Sequence, residues 1–426
     1  MSSPKVAERR RVLGWGFVSQ LASSATNFGL SWVAARLLGP DGLGVVFLGF
    51  SCYLIALEFQ RALLTDPLVA RSAALAGEER AAATRNGLAM ALLMSLAGAL
   101  LLGLAGLLLP GDIGRGALLF VPWLVPALVQ DFWRMVLFRD GRGRAGAAND
   151  LIWLAVMAAT VPLAFLAAST WAAVACWGAG ALAGMVAGFV QAHARPSRLP
   201  PAVRWWRSDA WQLGRWLGAE SIVYVLGAQA LTLMLAVVLD TRSVGGIRAV
   251  QAAFAPLSVV GPALGLPGLP ALARRVAVSA DQARKLAAGL GGLAAACTLI
   301  YVAIATLGGG RLLGLVFGDQ FQAFASLVWP IGFRELLVAP ALGFTLLLKA
   351  QGRGRALVGS RAATSAATLL FGVGLAAAGG VLGAAWGIAL AGGIGSLTVM
   401  ALGLRRQAAE PAPDHASRRQ EVSTDR

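Results

Sequence analysis

After Asp150 the chain runs for 44 residues without an acid, Lys or Arg, and after Arg361 it runs for 43. A helix rising about 1.5 Å per residue needs about 20 apolar residues to cross a hydrocarbon layer about 30 Å thick. Each stretch is therefore long enough for two crossings. Each also follows the same pentapeptide, GRGRA, at Gly141 to Ala145 and again at Gly352 to Ala356. The chain reads as a duplicated membrane protein.

Composition agrees: 58% of the 426 residues are hydrophobic and 13% charged, with a mean hydropathy of +0.71. A soluble protein carries about 25% charged residues, and this much apolar surface cannot all face one aqueous-bounded core. Twelve apolar stretches are predicted, at 12–35, 43–64, 86–109, 117–138, 149–168, 171–192, 213–238, 245–272, 286–307, 322–348, 357–377 and 381–404. They are too long and too non-alternating for barrel strands, so backbone polar groups in lipid must be satisfied within helices. The expected fold is an all-α polytopic membrane protein of about 12 transmembrane helices.

The formal net charge of +16 would suggest nucleic acid if it sat on one soluble face. Instead, with both termini placed in the cytoplasm, 29 of the 36 Lys and Arg residues fall on the inner side and 5 on the outer, among them Arg36, Arg242 and Arg248. That loop-by-loop alternation is the positive-inside pattern. It predicts a multi-pass protein with both termini cytoplasmic and removes nucleic acid as a partner.

The duplication extends beyond GRGRA. Pro67 to Arg71 recurs as Pro270 to Arg274, and Arg36 to Gly44 corresponds to Leu239 to Gly246 about 201 residues on; GRGRA itself repeats at 211. Two pseudo-symmetric six-helix halves are expected, 1–205 and 206–404, followed by a polar, disordered tail at 405–426. An even number of spans per half gives both the same orientation, so the pseudo-two-fold axis runs along the membrane normal. The Gly and Pro residues between Gly261 and Gly268 mark a hinge in the eighth span.

No catalytic constellation presents itself. The two histidines, His193 and His415, lack metal-ligand spacing, and no phosphate-binding glycine loop occurs. The chain is expected to be no enzyme and to need no cofactor or metal. Cys52, Cys176 and Cys297 each lie in a predicted span and are read as core packing. The informative residues are charges inside spans: Asp131, Arg134, Glu220, Arg334 and Glu335. Each would cost about 3 kcal/mol or more facing lipid alone. Arg134 is close enough to its helix end to snorkel, or else pairs with Asp131 three residues earlier. Glu58 and Arg61 form a similar pair at a solvated interface. Arg334 and Glu335, adjacent in sequence, project about 100° apart on a helix, so at least one is expected to need a partner elsewhere. Glu220 is a candidate for cation or proton coupling.

The residues Ala35 to Gly44, ARLLGPDGLG, resemble the LARLLGPEEYG signature of Wzx-type polysaccharide and O-antigen flippases. That polysaccharide transporter family belongs to the multidrug/oligosaccharidyl-lipid/polysaccharide exporter (MOP) superfamily. Val316 to Phe321 resembles the family's loop before the tenth span, and Leu347 to Arg353 its exit from that span. The resemblance implies a flippase that carries undecaprenyl-pyrophosphate-linked oligosaccharide across the cytoplasmic membrane by alternating access, for polysaccharide biosynthesis. It also implies membrane lipids as surroundings and a polysaccharide polymerase and other assembly proteins as partners. On that reading Arg334, Glu335, Arg134 and Asp131 line the substrate path. Two alternatives stand beside it: a cation-coupled drug or metabolite exporter of the same superfamily, which a carboxylate cluster in the N-terminal half would favour, and a non-transporting scaffold of polysaccharide assembly.

Overall fold

The computed structural model describes residues 4–72 and 75–405, so the tail expected at 405–426 lies, from 406 on, outside the described residues. It is all-α. Helices α1 (4–38) and α2 (40–72) are one continuous helical run broken at Gly39, whose φ of 69° lies in the left-handed region. Left straight, the 57 residues of Pro4–Gln60 would span roughly 85 Å at a rise of about 1.5 Å per residue. The break turns them into a hairpin, and residues on its two arms, such as Gln20 and Arg61, line one pocket. Then follow α3 (Gly77–Leu108), α4 (Gly111–Arg139), α5 (Gly143–Ala167) and α6 (Thr170–Ala192).

Helix α7 runs over 199–238 and α8 over 241–276, the latter bent by 51° about residue 254. Helix α9 (280–308) ends at Gly309, φ 44°, and a short helical connector leads to α10 (328–350). Helices α11 (354–378) and α12 (381–404) form a second hairpin about Gly379 and Gly380. Its arms pack antiparallel, since a Cβ on Gly383 would meet the Leu375 carbonyl and one on Gly387 the Phe371 carbonyl. Among the described residues twelve helices in two halves result. Large side chains point outward in runs, such as Leu100, Leu104 and Leu107 on α3 and Leu299, Ile300 and Ile304 on α9. Such a surface requires lipid as its solvent.

The repeated GRGRA folds twice into the same turn. Gly141 (φ 73°) and Gly352 (φ 69°) both adopt the left-handed conformation. In each copy the following arginine N–H bonds the carbonyl five residues back, Arg142 to Leu137 at 2.9 Å and Arg353 to Leu348 at 3.0 Å. This is the glycine-terminated helix stop in which freed end carbonyls are recaptured by the turn. It closes α4 and α10 alike.

The other repeat lies at the opposite, arginine-poor end and joins the halves. A Cβ on Gly44 would strike the carbonyl of Thr241, and one on Gly245 would strike that of Pro40. The two contacts are the same contact exchanged across an offset of 201 residues, as a two-fold axis requires. Asp41 and Arg242, themselves 201 apart, pair at 3.4 Å, and Thr241 donates to Asp112 at 2.7 Å. The family-like motifs meet at this seam as well. Arg36 donates from Nε to the Val316 carbonyl at 2.9 Å and from Nη2 to that of Leu315, and Phe28 packs on Phe317 with ring centroids 6.1 Å apart.

Two expectations fail. The break in α8 falls at 254–259, around Pro256, and residues 260–276 continue as unbroken helix through Gly261 to Gly268. Pro256 lies in the tight stretch 255–259 that breaks α8, whereas Pro262 and Pro267 are carried within the helix of 260–276. Cys176 is buried as expected, but Cys297 is exposed on α9 among lipid-facing residues and packs no core.

Candidate functional site

Two polar cavities lie inside the bundle and adjoin at Asn27 and Leu54. The smaller, about 240 Å³, is enclosed by α1, α2, α4 and α5. Asp131, buried on α4, accepts from Arg61 through Nε at 2.8 Å and Nη2 at 2.6 Å, and from Arg134 Nη2 at 2.6 Å. Arg134 also approaches Asp150 at 3.8 Å, and Arg61 reaches Glu58 at 3.5 Å. Asp150 in turn accepts from Ser19 and, at 2.9 Å, from Gln130. Three carboxylates thus enclose two guanidinium groups, for a formal charge of −1. Edge-to-face rings back the pocket, with Tyr53 and Trp153 packed on Trp177 at 5.0 and 5.2 Å.

The Asp131–Arg134 pair expected from spacing is present, but the rest differs. Arg134 does not snorkel: its side chain is 15% exposed and held between two aspartates. Arg61 leaves the interface to grip Asp131 bidentately, because a buried carboxylate between two helices offers it two aligned acceptors. Asp150, which reads in sequence as the edge of an uncharged stretch, is a full member of the pocket.

The larger cavity, about 580 Å³, lies between the halves and is lined by α1, α2, α7, α8, α10, α11 and α12. Arg334 and Glu335 line it together and pair with each other through Nη1 and Oε1. The expectation that their 100° separation prevents this is overturned: the long, flexible Arg and Glu side chains bend around the helix farther than their Cβ positions suggest. The other cation is Arg248. Counted from sequence as an outer residue, it lies two turns into α8, because Asp240 caps the helix by accepting from Ser243 N–H at 2.5 Å and so starts it at Thr241. The Arg248 guanidinium stacks over the Phe47 ring at 4.1 Å. Its Nε is buried without a hydrogen-bond partner, and among the described residues no carboxylate pairs with it. Formal charge in this cavity is +1.

Asn27, Gln229, Thr232, Gln251, Ser258 and Thr364 supply amides and hydroxyls around it. Structure thus places Asp131 and Arg134 in one cavity and Arg334 and Glu335 in its neighbour. The side chain of Glu220 lies outside the described residues. No group of three or more metal-ligating side chains occurs among the described residues.

No protein-family model matches the chain, and no curated protein matches it in sequence. Solved structures do match its fold. An inward-facing multidrug resistance MATE family transporter of the MOP superfamily superposes with a TM-score of 0.72 at 11% identity, covering 89% of this chain and 93% of its own. The lipid II flippase MurJ, in an inward closed conformation, superposes at 0.70 with 10% identity, covering 90% and 87%. A MOP superfamily transporter from Pyrococcus furiosus, described as having a binding pocket of reverse polarity, superposes at 0.62 with 12% identity, covering 93% and 94%. The chain is a multi-pass membrane protein with the twelve-helix, two-lobed fold of the MOP transporters.

Proposed function

We propose that this chain is a flippase moving undecaprenyl-pyrophosphate-linked oligosaccharide across the bacterial cytoplasmic membrane for polysaccharide biosynthesis. The halves 1–205 and 206–404 are the units that rock in alternating access, with both termini cytoplasmic. The observation that carries the reading is Arg248, a half-buried guanidinium facing the central cavity, its Nε buried without a partner and no carboxylate paired with it among the described residues. A cation left so costs several kcal/mol in a membrane interior unless something anionic visits it. A diphosphate suits it, because the planar fork donates two parallel hydrogen bonds to phosphate oxygens. Arg334 lines the same space, and the surrounding amides and hydroxyls suit sugar hydroxyls.

A polyprenyl tail has no reason to leave hydrocarbon, so the cavity needs an apolar side opening. A space of about 290 Å³ between α8, α9 and α10 shares Leu257, Ser258 and Glu335 with the central cavity and is otherwise lined by residues such as Val260, Ala294 and Leu342. It adjoins the 254–259 bend, where the broken helix leaves room. Likeness to a lipid II flippase supports the same chemistry.

The cation-coupled exporter remains a second reading because the carboxylate cluster that would favour it is present, in Glu58, Asp131 and Asp150. Purified protein in liposomes decides between them. Flippase activity would expose a fluorescent polyprenyl-diphosphate sugar to a membrane-impermeant quencher, with Arg248→Ala inactive. Failure to move the lipid, together with expulsion of an organic cation under a Na⁺ or H⁺ gradient, would establish the exporter instead.

A further inference from the structure

A third cavity, about 470 Å³, lies at the end of the N-terminal half that carries the basic loops, apart from both cavities above. The ends of α3, α4 and α6 and the turn between α4 and α5 form it. Arg80, Arg85, Arg139, Arg142 and Arg195 line it, against Asp140 as the acid among its lining residues. Arg139 anchors it: its side chain is 1% exposed and donates to Asp140 at 2.9 Å, Ser72 at 3.0 Å and Thr84 at 2.8 Å. Arg85 is paired with Glu78 at 2.5 Å. Even with Glu78 counted, five guanidinium groups face two carboxylates.

Arg142 and Arg195 are exposed at the cavity and are held by no hydrogen bond or ion pair among the described residues. The duplicated turn supplies an internal comparison. Its second copy presents Arg353 in the same backbone setting, and there the guanidinium donates to the Leu402 carbonyl at 2.8 Å, fastening the end of α12. Arg142 makes no such bond to α6. Basic residues that serve only to orient a membrane protein need no concavity, and they do not converge. Here they converge on a half-open concavity of a size for a small anion or headgroup, at a helix end of the kind where basic pockets between helices hold lipid phosphates.

We propose that this cavity binds a phosphate group, whether carried by an anionic phospholipid headgroup or free in solution, with Arg142 and Arg195 as its ligating forks. The site is separate from the translocation path and does not depend on the transport reading. Full-length protein in detergent, probed by native mass spectrometry with phosphatidylglycerol, cardiolipin and phosphatidylcholine, tests it. The wild type should retain the anionic lipids over phosphatidylcholine by about tenfold, as loss of two charge-assisted contacts would imply. The double variant Arg142→Ala, Arg195→Ala should lose that preference, and Arg144→Ala, an exposed arginine of the same turn that does not line the cavity, should keep it. Should the double variant unfold, each single variant must still lower retention about threefold. Displacement of the lipid by millimolar inorganic phosphate would assign the site to the soluble anion, and resistance would assign it to the headgroup. Equal retention by the double variant, or equal retention of phosphatidylcholine, overturns the proposal.

Discussion

The pocket of the N-terminal half and the central cavity both place arginine inside a membrane bundle, and they treat it in opposite ways. Around Asp131 every cation has its anion, and two of the contacts come from one bidentate guanidinium. In the central cavity Arg334 is matched by Glu335, but among the described residues Arg248 has an aromatic face and no carboxylate. A paired network holds four helices together and, at a formal charge of −1, offers little to an anionic ligand. An incomplete one leaves a charge whose partner has to come from outside. The two cavities are neighbours, so the contrast is one of pairing and not of depth.

Removing the hub of the closed network should have the largest effect. Asp131→Ala strands Arg61 and Arg134 in a buried site, and breaking a buried pair costs about 3–5 kcal/mol. Thermal unfolding in detergent should show a marked loss of stability. A variant as stable as the parent would mean that the pocket is wet enough to screen its charges, which dissolves the contrast.

Arg248→Ala should behave in the reverse manner, unfolding like the parent while losing transport. Hydrogen bonds to charged groups are worth about 1.5–3 kcal/mol, which corresponds to roughly 10- to 150-fold in rate or affinity. Arg248→Lys should recover only part, since an ammonium is a point charge without a fork. Transport at parental rate by the alanine variant would show Arg248 to be a structural cation packed on Phe47.

A smaller change is expected from Glu335→Gln, which frees Arg334 and raises the cavity's formal charge from +1 to +2. Anionic lipid should bind more tightly, by about three- to tenfold, and release should become slower. Weaker binding would indicate that Glu335 itself holds the substrate.

Topology can be checked independently of transport, at some cost in stability where Gly111 adopts a φ of 66° and Ser169 caps α6. Single cysteines at Gly111 and Ser169 should react with an impermeant thiol reagent from outside the cell, and cysteines at Gly143 and Ser197 should not. The opposite pattern would invert the molecule and place the phosphate cavity on the outer surface.

Much of this architecture was legible from residue order alone. Uncharged runs and alternating basic loops are properties of whole segments, so twelve helices and a duplicated plan could be read without knowing any contact. Individual charges were harder. Asp150 looked like a boundary because it opens a long uncharged run, yet it sits on the second turn of α5, facing Ser19 and Gln130. Arg248 looked like an outer-end charge because hydropathy blurs helix starts, whereas the Asp240 cap fixes this one two turns earlier. For Arg334 and Glu335, angles between Cβ positions were given more weight than side-chain reach. In each case the missing quantity was where a side chain goes after leaving its helix, which periodicity does not encode.

The seam at the arginine-poor end carries a record of its own. Gly44 against Thr241 and Gly245 against Pro40 form a contact that two identical six-helix chains could make with one another. Asp41 against Arg242 is one they could not make, because equivalent positions in identical chains carry the same charge and would repel. The glycine contacts are therefore compatible with an ancestral pair of separate subunits. The ion pair became available only after the copies were duplicated and each was free to change without the other.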